Sequence, residues 1–328
     1  MTSISFSSVN YQSAESVVII TGVARSGKTT VGNILGSCRN VDHVEEPKPF
    51  IHLPILTNAG SMPESMALDM FHTYVFDLWH ERILMRNVNF RPSDQSSIWK
   101  QKSPREIISR LIRMKSREDV KQYYYSKHPT LILTLTHLVP FYEFFWKALP
   151  GCRIIHVVRD CLNVAMDVTI KGWLSDEQLM NPLHASPYRK YMRQNDGVAF
   201  HLPYWVEYGH EESYLALTDF SRGIHYWRRL LEMTDNTTND SNNDHLLHLI
   251  KFADVLDRPH DTINKLTETL GYRQTSLTAR LISKVNRSKE VQVSNKVWTD
   301  VDERELIAAR NMCCKFNLDT TSIDIALD

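Results

Sequence analysis

The sequence lacks an excess of charge of either sign: 38 lysines and arginines stand against 38 aspartates and glutamates, so the formal net charge is zero. With 42% hydrophobic and 23% charged residues, the composition is that of a globular protein. It argues against a disordered chain, a collagen-like fibre and a nucleic-acid coat, so no nucleic-acid partner is expected. No run of about 18 apolar residues occurs, so neither a transmembrane helix nor a membrane partner is expected.

The five cysteines do not form an evident disulfide framework. Their number is odd and Cys313 and Cys314 are adjacent, which favours a reducing compartment and a cytoplasmic location. No CxxC pair or Cys–His cluster has zinc spacing, so no metal site is expected. Residues 1–16 lack the basic and apolar stretches of a secretory signal and are interpreted as a leader. Residues 17–328 are interpreted as one domain.

Short β-branched runs alternate with helical patterns along the chain. This alternation is typical of βαβ units and predicts an α/β fold, with a central parallel sheet flanked by helices. Strands are predicted over 17–21, 41–44, 130–136, 153–158 and 246–252. Helices are predicted over 29–38, 62–86, 104–125, 141–149 and 259–270. Residues 234–244 contain no apolar side chain and are predicted to form a surface loop.

A phosphate-loop pattern lies between the first predicted strand and helix. Residues 22–29 (GVARSGKT) fit G-x-x-x-x-G-K-[ST] in the context that this pattern requires. The backbone N–H groups of such a loop and the positive end of the helix bind phosphate. Lys28 and Arg25 would add positive charge at the transferring group. The alternative is a glycine-rich turn with solvated cations.

Enzymes that use nucleoside triphosphates usually combine this loop with a carboxylate that holds Mg²⁺ at the end of another strand. The predicted strand 130–136 is followed by His137 and has no such carboxylate. The strand 153–158 is followed by Arg159 and Asp160. A guanidinium in this position suits a second phosphate better than a metal ion. A small-molecule kinase using ATP and Mg²⁺ nevertheless remains an alternative.

Four segments together resemble the sulfotransferase family, which has a P-loop NTPase-like fold and uses 3′-phosphoadenosine-5′-phosphosulfate (PAPS). Residues 24–30 (ARSGKTT) resemble the loop for the 5′-phosphosulfate, and residues 150–160 (PGCRIIHVVRD) the strand that leads to the 3′-phosphate site. The stretch 136–138 (THL) is similar to one in the cytosolic members. Residues 249–271 resemble the late strand and helix, and Trp227 matches a common family tryptophan.

The resemblance implies a divergent bacterial or tailoring sulfotransferase. Such an enzyme moves a sulfuryl group from PAPS to a hydroxyl or nitrogen of a small molecule and leaves 3′-phosphoadenosine-5′-phosphate (PAP). Arg25 and Lys28 would stabilise charge on the bridging oxygen, and a basic segment at 280–289 would close over the nucleotide or form a solvated helix face. The implied cofactor-binding residues are Arg25, Ser26, Gly27, Lys28, Thr29, Thr30, Arg159, Arg287 and Lys289.

Two residues are candidates for the general base that takes the acceptor's proton. His137 follows a predicted strand and matches the family's histidine; its ordinary pKa suits the task. Glu46, which follows Glu45, stands where other branches of the family carry a glutamate. The alternatives are a histidine at the edge of the core and a solvated or helix-capping pair of acids.

Three residues depart from the family pattern. Lys28 stands in place of a threonine, and Leu135 in place of a lysine. Asp167 stands where many members place a serine on the 3′-phosphate, and a carboxylate there would repel that phosphate unless it points away. This departure supports a third possibility, a nucleotide-binding protein that does not catalyse transfer.

Residues 194–221 contain five acidic and six aromatic side chains and no lysine or arginine. Acidic and aromatic groups together can bind a cation, so this segment predicts a cationic acceptor such as an alkaloid of the paralytic-toxin type. The surrounding stretch 171–222 is interpreted as an acceptor-side insertion. The alternative is an exposed acidic loop whose aromatic rings pack into the core. The predicted acceptor-binding residues are Tyr204, Trp205, Glu207, Tyr208 and Glu211.

Overall fold

The computed structural model describes residues 16–181, 189–193, 197–238, 243–285 and 301–327. Five strands form one parallel sheet in the order β2-β3-β1-β4-β7, and two further strands form an antiparallel pair. The predicted α/β fold with a central parallel sheet is therefore confirmed. The strands are β1 (Val17–Gly22), β2 (Val41–Glu45), β3 (Thr130–Thr136), β4 (Arg153–Val158), β5 (Lys190–Arg193), β6 (Ala199–Leu202) and β7 (Leu247–Lys251).

Helices cover both faces of the sheet. The first eight are α1 (Lys28–Gly36), α2 (Lys48–Asn58), α3 (Glu64–Ile83), α4 (Pro104–Arg113), α5 (Arg117–Lys127), α6 (Tyr142–Ala148), α7 (Cys161–Ile170) and α8 (Asp176–Met180). The remaining ones are α9 (Glu211–Leu215), α10 (Asp219–Thr238), α11 (Phe252–Asp257), α12 (Pro259–Leu270), α13 (Ser276–Ile282), α14 (Glu303–Lys315) and α15 (Thr321–Leu327). None of the described helices is long and apolar enough to cross a lipid bilayer.

The central strand β1 shows why the sheet is covered on both sides. Its side chains alternate between two cores: Val17 and Ile19 pack into one, and Val18 and Ile20 pack into the other. Alternate side chains of a strand point to opposite faces, so a strand that is apolar at every position must be buried on both. This burial explains why the short apolar runs predict the parallel strands so closely.

The sheet brings the functional segments to one edge. β1 pairs in parallel with β3 on one side and β4 on the other, and Gly22 lies opposite Thr136 in the register. The phosphate loop after β1 and His137 after β3 therefore emerge side by side. Ligands of open α/β sheets bind at the carboxyl ends of the strands, where the strand order reverses.

The predicted helix over 104–125 is wrong in one respect, because the structure has two helices there. The chain leaves the helical conformation at Met114, and Ser116 caps the N-terminus of α5. The Ser116 hydroxyl accepts a hydrogen bond from the Asp119 N–H, and the Asp119 carboxylate accepts one from the Ser116 N–H. Such a capping box starts a new helix rather than continuing an old one.

Two other boundaries differ from the sequence-based expectation. The predicted loop over 234–244 begins later, because α10 continues to Thr238. The last strand is shorter than predicted, because Phe252 begins α11 instead of ending β7. Within 171–222 the described residues form the short helices α8 and α9 and the β5–β6 pair.

Candidate active site

The phosphate loop depends on a glycine at its last turn. Gly27 has a φ of 93° and precedes α1, which begins at Lys28. A Cβ at Gly27 would lie 2.2 Å from ring atoms of Phe252, the first residue of α11. Both the left-handed backbone and the close ring therefore require glycine. The result is a loop of backbone N–H groups at the N-terminus of a helix, which is a favourable place for an anion.

Inside the loop, Lys28 is a buried cation with a side chain 4% exposed. Its ammonium donates a hydrogen bond of 2.6 Å to the Val23 carbonyl oxygen. Burial lowers the pKa of Lys28 to about 8, although the nearby Glu46 and Glu45 carboxylates act in the opposite direction. The Ser26 hydroxyl is also buried, and it has no hydrogen-bond partner among the described residues. A buried hydroxyl without a partner can form its hydrogen bond with an atom of a bound ligand.

Arg159, which follows β4, is connected to the phosphate loop. Its guanidinium donates a hydrogen bond of 2.9 Å to the Arg25 carbonyl oxygen and lies over the Phe252 ring, 5.9 Å from the centroid. The fully buried Trp227 indole donates to the Arg159 carbonyl oxygen at 2.8 Å. The tryptophan identified by the resemblance therefore fixes the backbone of Arg159.

Asp167 on α7 is turned toward the cations. One carboxylate oxygen lies 2.8 Å from Nη1 of Arg159 and 3.4 Å from Nε of Arg25. The carboxylate does not point away from the predicted 3′-phosphate site. It forms ion pairs with both arginines there.

His137 is held by a tyrosine from α10. Its Nδ1 lies 2.7 Å from the Tyr226 hydroxyl, which also accepts a hydrogen bond of 2.5 Å from the Ala24 N–H of the phosphate loop. Burial, with the charges of Lys28 and Arg189, lowers the pKa of His137 to about 3. The imidazole is therefore neutral at physiological pH.

Glu45 and Glu46 both bind threonine hydroxyls at the same edge of the sheet. Thr29, in the first turn of α1, donates to Glu45, and Thr136 donates to Glu46. Burial raises the pKa of Glu45. Glu45 is thus half-buried at the end of β2, whereas Glu46 is exposed at the same edge of the sheet.

Two cavities, of about 320 and 340 Å³, share the walls His137, Arg189 and Trp205. Glu46 and Tyr204 also line the first, so both base candidates face one cavity. The second is lined in addition by Ala24, Val168, Trp173, Leu174, Gln178 and Tyr226. Ala24 belongs to the phosphate loop, so this second cavity reaches the anion site.

The structure separates the predicted acceptor-binding residues into two groups. Tyr204 and Trp205 line the first cavity. Glu207, Tyr208 and Glu211 do not line either cavity: Glu207 lies 3.4 Å from Arg229, and Tyr208 is 92% exposed. The aromatic part of this set is therefore at the cavity and the acidic part is not.

Other predicted residues are less informative. Thr30 is half-buried on α1. Arg287 and Lys289 lie outside the described residues, so their assignment stays a prediction. Sequence reasoning missed Arg189 and Tyr226, which come from the irregular insertion and from α10. Tyr226 could have been noticed as the neighbour of Trp227, but no sequence pattern marks Arg189.

Comparisons with known proteins agree with this geometry. Residues 15–308 match the family described as sulfotransferase domain. The chain belongs to the sulfotransferase domain family. The family prediction is thus confirmed, and membership supports a transferase with sulfotransferase activity. No curated protein matches the sequence.

Several solved sulfotransferases are similar to this one in structure, at low sequence identity. The sulfotransferase domain of the Synechococcus PCC 7002 olefin synthase is 11% identical, with 92% of this chain and 95% of that chain covered and a TM-score of 0.43. The sulfotransferase domain from the curacin biosynthetic pathway is 8% identical, with coverages of 92% and 98% and a TM-score of 0.44. Sulfotransferase STF9 from Mycobacterium avium is 11% identical, with coverages of 93% and 78% and a TM-score of 0.42.

Proposed function

We propose that this sulfotransferase uses PAPS as its donor and transfers the sulfuryl group to a hydroxyl or nitrogen of a small-molecule acceptor. The observation that carries the proposal is the position of the phosphate loop. It lies at the carboxyl edge of the sheet, beside cavities lined by both base candidates, His137 and Glu46. The proposed donor site and the proposed acceptor site would therefore be adjacent.

The residues present fit the 5′-phosphosulfate end of PAPS. Gly27 allows the left-handed turn that precedes α1, Ser26 offers an unsatisfied hydroxyl, and Lys28 supplies a buried charge. Arg25 adds a guanidinium group at the mouth of the loop, and Arg159 adds one at the proposed 3′-phosphate site. When bound, PAPS supplies a sulfuryl group activated by its phosphosulfate anhydride.

Lys28 and Arg25 are proposed to stabilise the charge that develops on the bridging oxygen as PAP leaves. Preorganised cations in a site of low dielectric constant are the largest common source of such stabilisation. Lys28 is well suited because it is buried and held by the Val23 carbonyl.

The base is proposed to be His137 or Glu46, because both line the cavity that would hold the acceptor. Burial lowers the pKa of His137 to about 3, which keeps the imidazole unprotonated but also makes it a weaker base than an ordinary histidine. Loss of the base should reduce kcat while the affinity for PAP is retained. His137→Ala and Glu46→Gln should be compared with His80→Ala, which removes a histidine that does not line the cavities. The variant with the greater loss of kcat identifies the base.

We further propose that the acceptor is a cation, of the kind found in alkaloids of the paralytic-toxin type, and that the insertion over 171–222 supplies its binding site. The aromatic walls Trp173, Tyr204 and Trp205 and the Glu46 carboxylate support this, since aromatic faces and carboxylates attract cations. Arg189, which lines both cavities, and Lys48, which lines the first, act in the opposite direction. Paired cationic and neutral acceptors of similar size test it. Equal turnover of the two would contradict the proposal.

Thermal stability in the presence of nucleotides tests the donor. PAP should raise the melting temperature in proportion to its binding, and Gly27→Ala should abolish the shift because its Cβ collides with Phe252. Stabilisation by ATP with Mg²⁺ alone would instead indicate a small-molecule kinase. Binding of PAP without transfer from PAPS to any acceptor would indicate a nucleotide-binding protein that does not catalyse transfer.

A further inference from the structure

One carboxylate serves two guanidinium groups at the mouth of the phosphate loop. The Asp167 oxygen is 2.8 Å from Arg159 and 3.4 Å from Arg25, and the three side chains are 14%, 9% and 42% exposed, respectively. The cluster is thus partly open to solvent on the Arg25 side. It carries two positive charges and one negative charge.

The backbone beneath this carboxylate is fixed. α7 packs closely against α10, where a Cβ on Gly223 would lie 2.8 Å from Cα of Ala165. Gly223 allows this close approach, and Ala165 lies half a turn before Asp167 on α7. The Asp167 side chain can therefore leave the arginines by rotation about its own bonds, whereas α7 cannot shift without disturbing the packing.

An anion that binds these guanidinium groups must compete with Asp167. A phosphate placed on the same nitrogen atoms would meet the carboxylate at a few ångströms, where like charges repel strongly in a partly buried site. The 3′-phosphate can gain the Arg159 guanidinium only if Asp167 gives it up. Binding therefore includes the breaking of the ion pair between Asp167 and Arg159.

We propose that Asp167 is an internal competitor for the 3′-phosphate of the donor nucleotide. Its carboxylate neutralises Arg159 and Arg25 in the free protein and is displaced when that phosphate binds. Asp167 thereby weakens the preference of the enzyme for 3′-phosphorylated nucleotides. This inference rests on the proposed function, because it takes the PAPS site to be the one formed by the phosphate loop and Arg159.

Calorimetric titration with PAP and with adenosine 5′-monophosphate (AMP), which lacks the 3′-phosphate, tests the inference. Asp167→Asn removes the charge at nearly constant size. It should tighten PAP binding roughly tenfold and change AMP binding by less than about threefold. A matched control is Asp254→Asn, which removes another carboxylate paired with an arginine (Arg258, at 2.8 Å) but does not contact Arg25 or Arg159. The control should leave the ratio of the two affinities unchanged.

A double-mutant cycle separates competition from a merely structural role. If Asp167 and the phosphate compete for one guanidinium, Arg159→Ala should weaken PAP binding more in the Asp167→Asn background than in the wild-type protein. Weaker binding of both PAP and AMP to Asp167→Asn would overturn the inference, because it would show that Asp167 only supports the loop. The inference would also be overturned if Asp167→Asn bound PAP with the same affinity as the wild-type protein. No binding of PAP to any form would overturn the proposed function and the inference together.

Discussion

Two aspartates in this protein are each surrounded by basic side chains, and they differ in access to solvent. Asp42, on β2, is completely buried and lies 2.7 Å from Arg110 and 4.0 Å from Lys102, both of which are buried as well. Asp167 is partly exposed and pairs with both Arg159 and the exposed Arg25. Ion pairs between an aspartate and basic side chains thus occur once in the buried interior and once at the edge of the sheet where a ligand would bind.

The difference in access predicts different roles. Burial alone would raise the pKa of Asp42, but the charges of Arg110, Lys102 and Arg82 outweigh it and lower that pKa. A sealed pair cannot exchange a partner without leaving an uncompensated charge in the interior. An open pair can exchange its carboxylate for an incoming anion. The Asp42 cluster is accordingly interpreted as structural and the Asp167 cluster as exchangeable.

The largest effect should come from the sealed cluster. Asp42→Asn should lower the free energy of unfolding by about 3–5 kcal/mol, because Arg110 and Lys102 lose their buried counter-charge and keep only the partly exposed Glu106. Urea denaturation followed by circular dichroism measures this loss. A change below about 1 kcal/mol would remove the distinction between the two clusters.

The next effect concerns ligand binding. Arg159→Ala should weaken PAP binding by about 2 kcal/mol, roughly thirtyfold, because a charge-assisted interaction with the phosphate is lost. Calorimetry of the folded variant measures this change. Arg258→Ala, which removes an exposed arginine paired with Asp254 on α11, serves as the control and should bind PAP as the wild type does. Unchanged affinity in Arg159→Ala would show that Arg159 does not contact the ligand.

The charge of Lys28 in the phosphate loop should also determine how activity depends on pH. Burial lowers the pKa of Lys28 to about 8, so this cation loses its charge as the pH rises through that value. The kcat/KM value, which reports the free enzyme, should therefore fall up to tenfold per pH unit above about pH 8. Lys28→Arg keeps the charge and should move this fall to higher pH. A fall at the same pH in an active Lys28→Arg enzyme would assign it to another group.

The smallest effect should come from the exchangeable cluster itself. Asp167→Asn should lower the free energy of unfolding by about 1 kcal/mol or less, since partly exposed ion pairs contribute little. The same urea denaturation as for Asp42→Asn measures it. A loss as large as that of Asp42→Asn would mean that Asp167, too, is structural.

The sequence predicts the phosphate-binding half of the site much better than the acceptor half. The loop and the parallel strands are encoded locally, as a spaced glycine-lysine motif and as runs that are apolar at every position. The pairing of Asp167 with Arg25 depends on contacts between residues 142 positions apart. The contact between Tyr226 and His137 spans 89 positions and depends on how α10 packs. A local pattern cannot specify such contacts, so the sequence shows Asp167 as a departure but not what it does.

For the acceptor half, too, the sequence does not show which distant residues meet at the cavity. Composition draws attention to Tyr204 and Trp205, which line the first cavity, but it cannot tell which acids face that cavity. Glu46, from a distant strand end, lines it, whereas Glu207 pairs with Arg229. Position along the chain therefore gives little information about charge in the cavity.

Transfer of radiolabelled sulfate from PAPS tests the central claim most directly. Wild-type protein incubated with [³⁵S]PAPS and a panel of cationic hydroxyl- or nitrogen-bearing acceptors should form labelled product and an equal amount of PAP. Gly27→Ala should form neither, because its phosphate loop cannot close against Phe252. Absence of transfer from PAPS by the folded wild-type protein, together with phosphoryl transfer from ATP and Mg²⁺ to the same acceptors, would contradict the account.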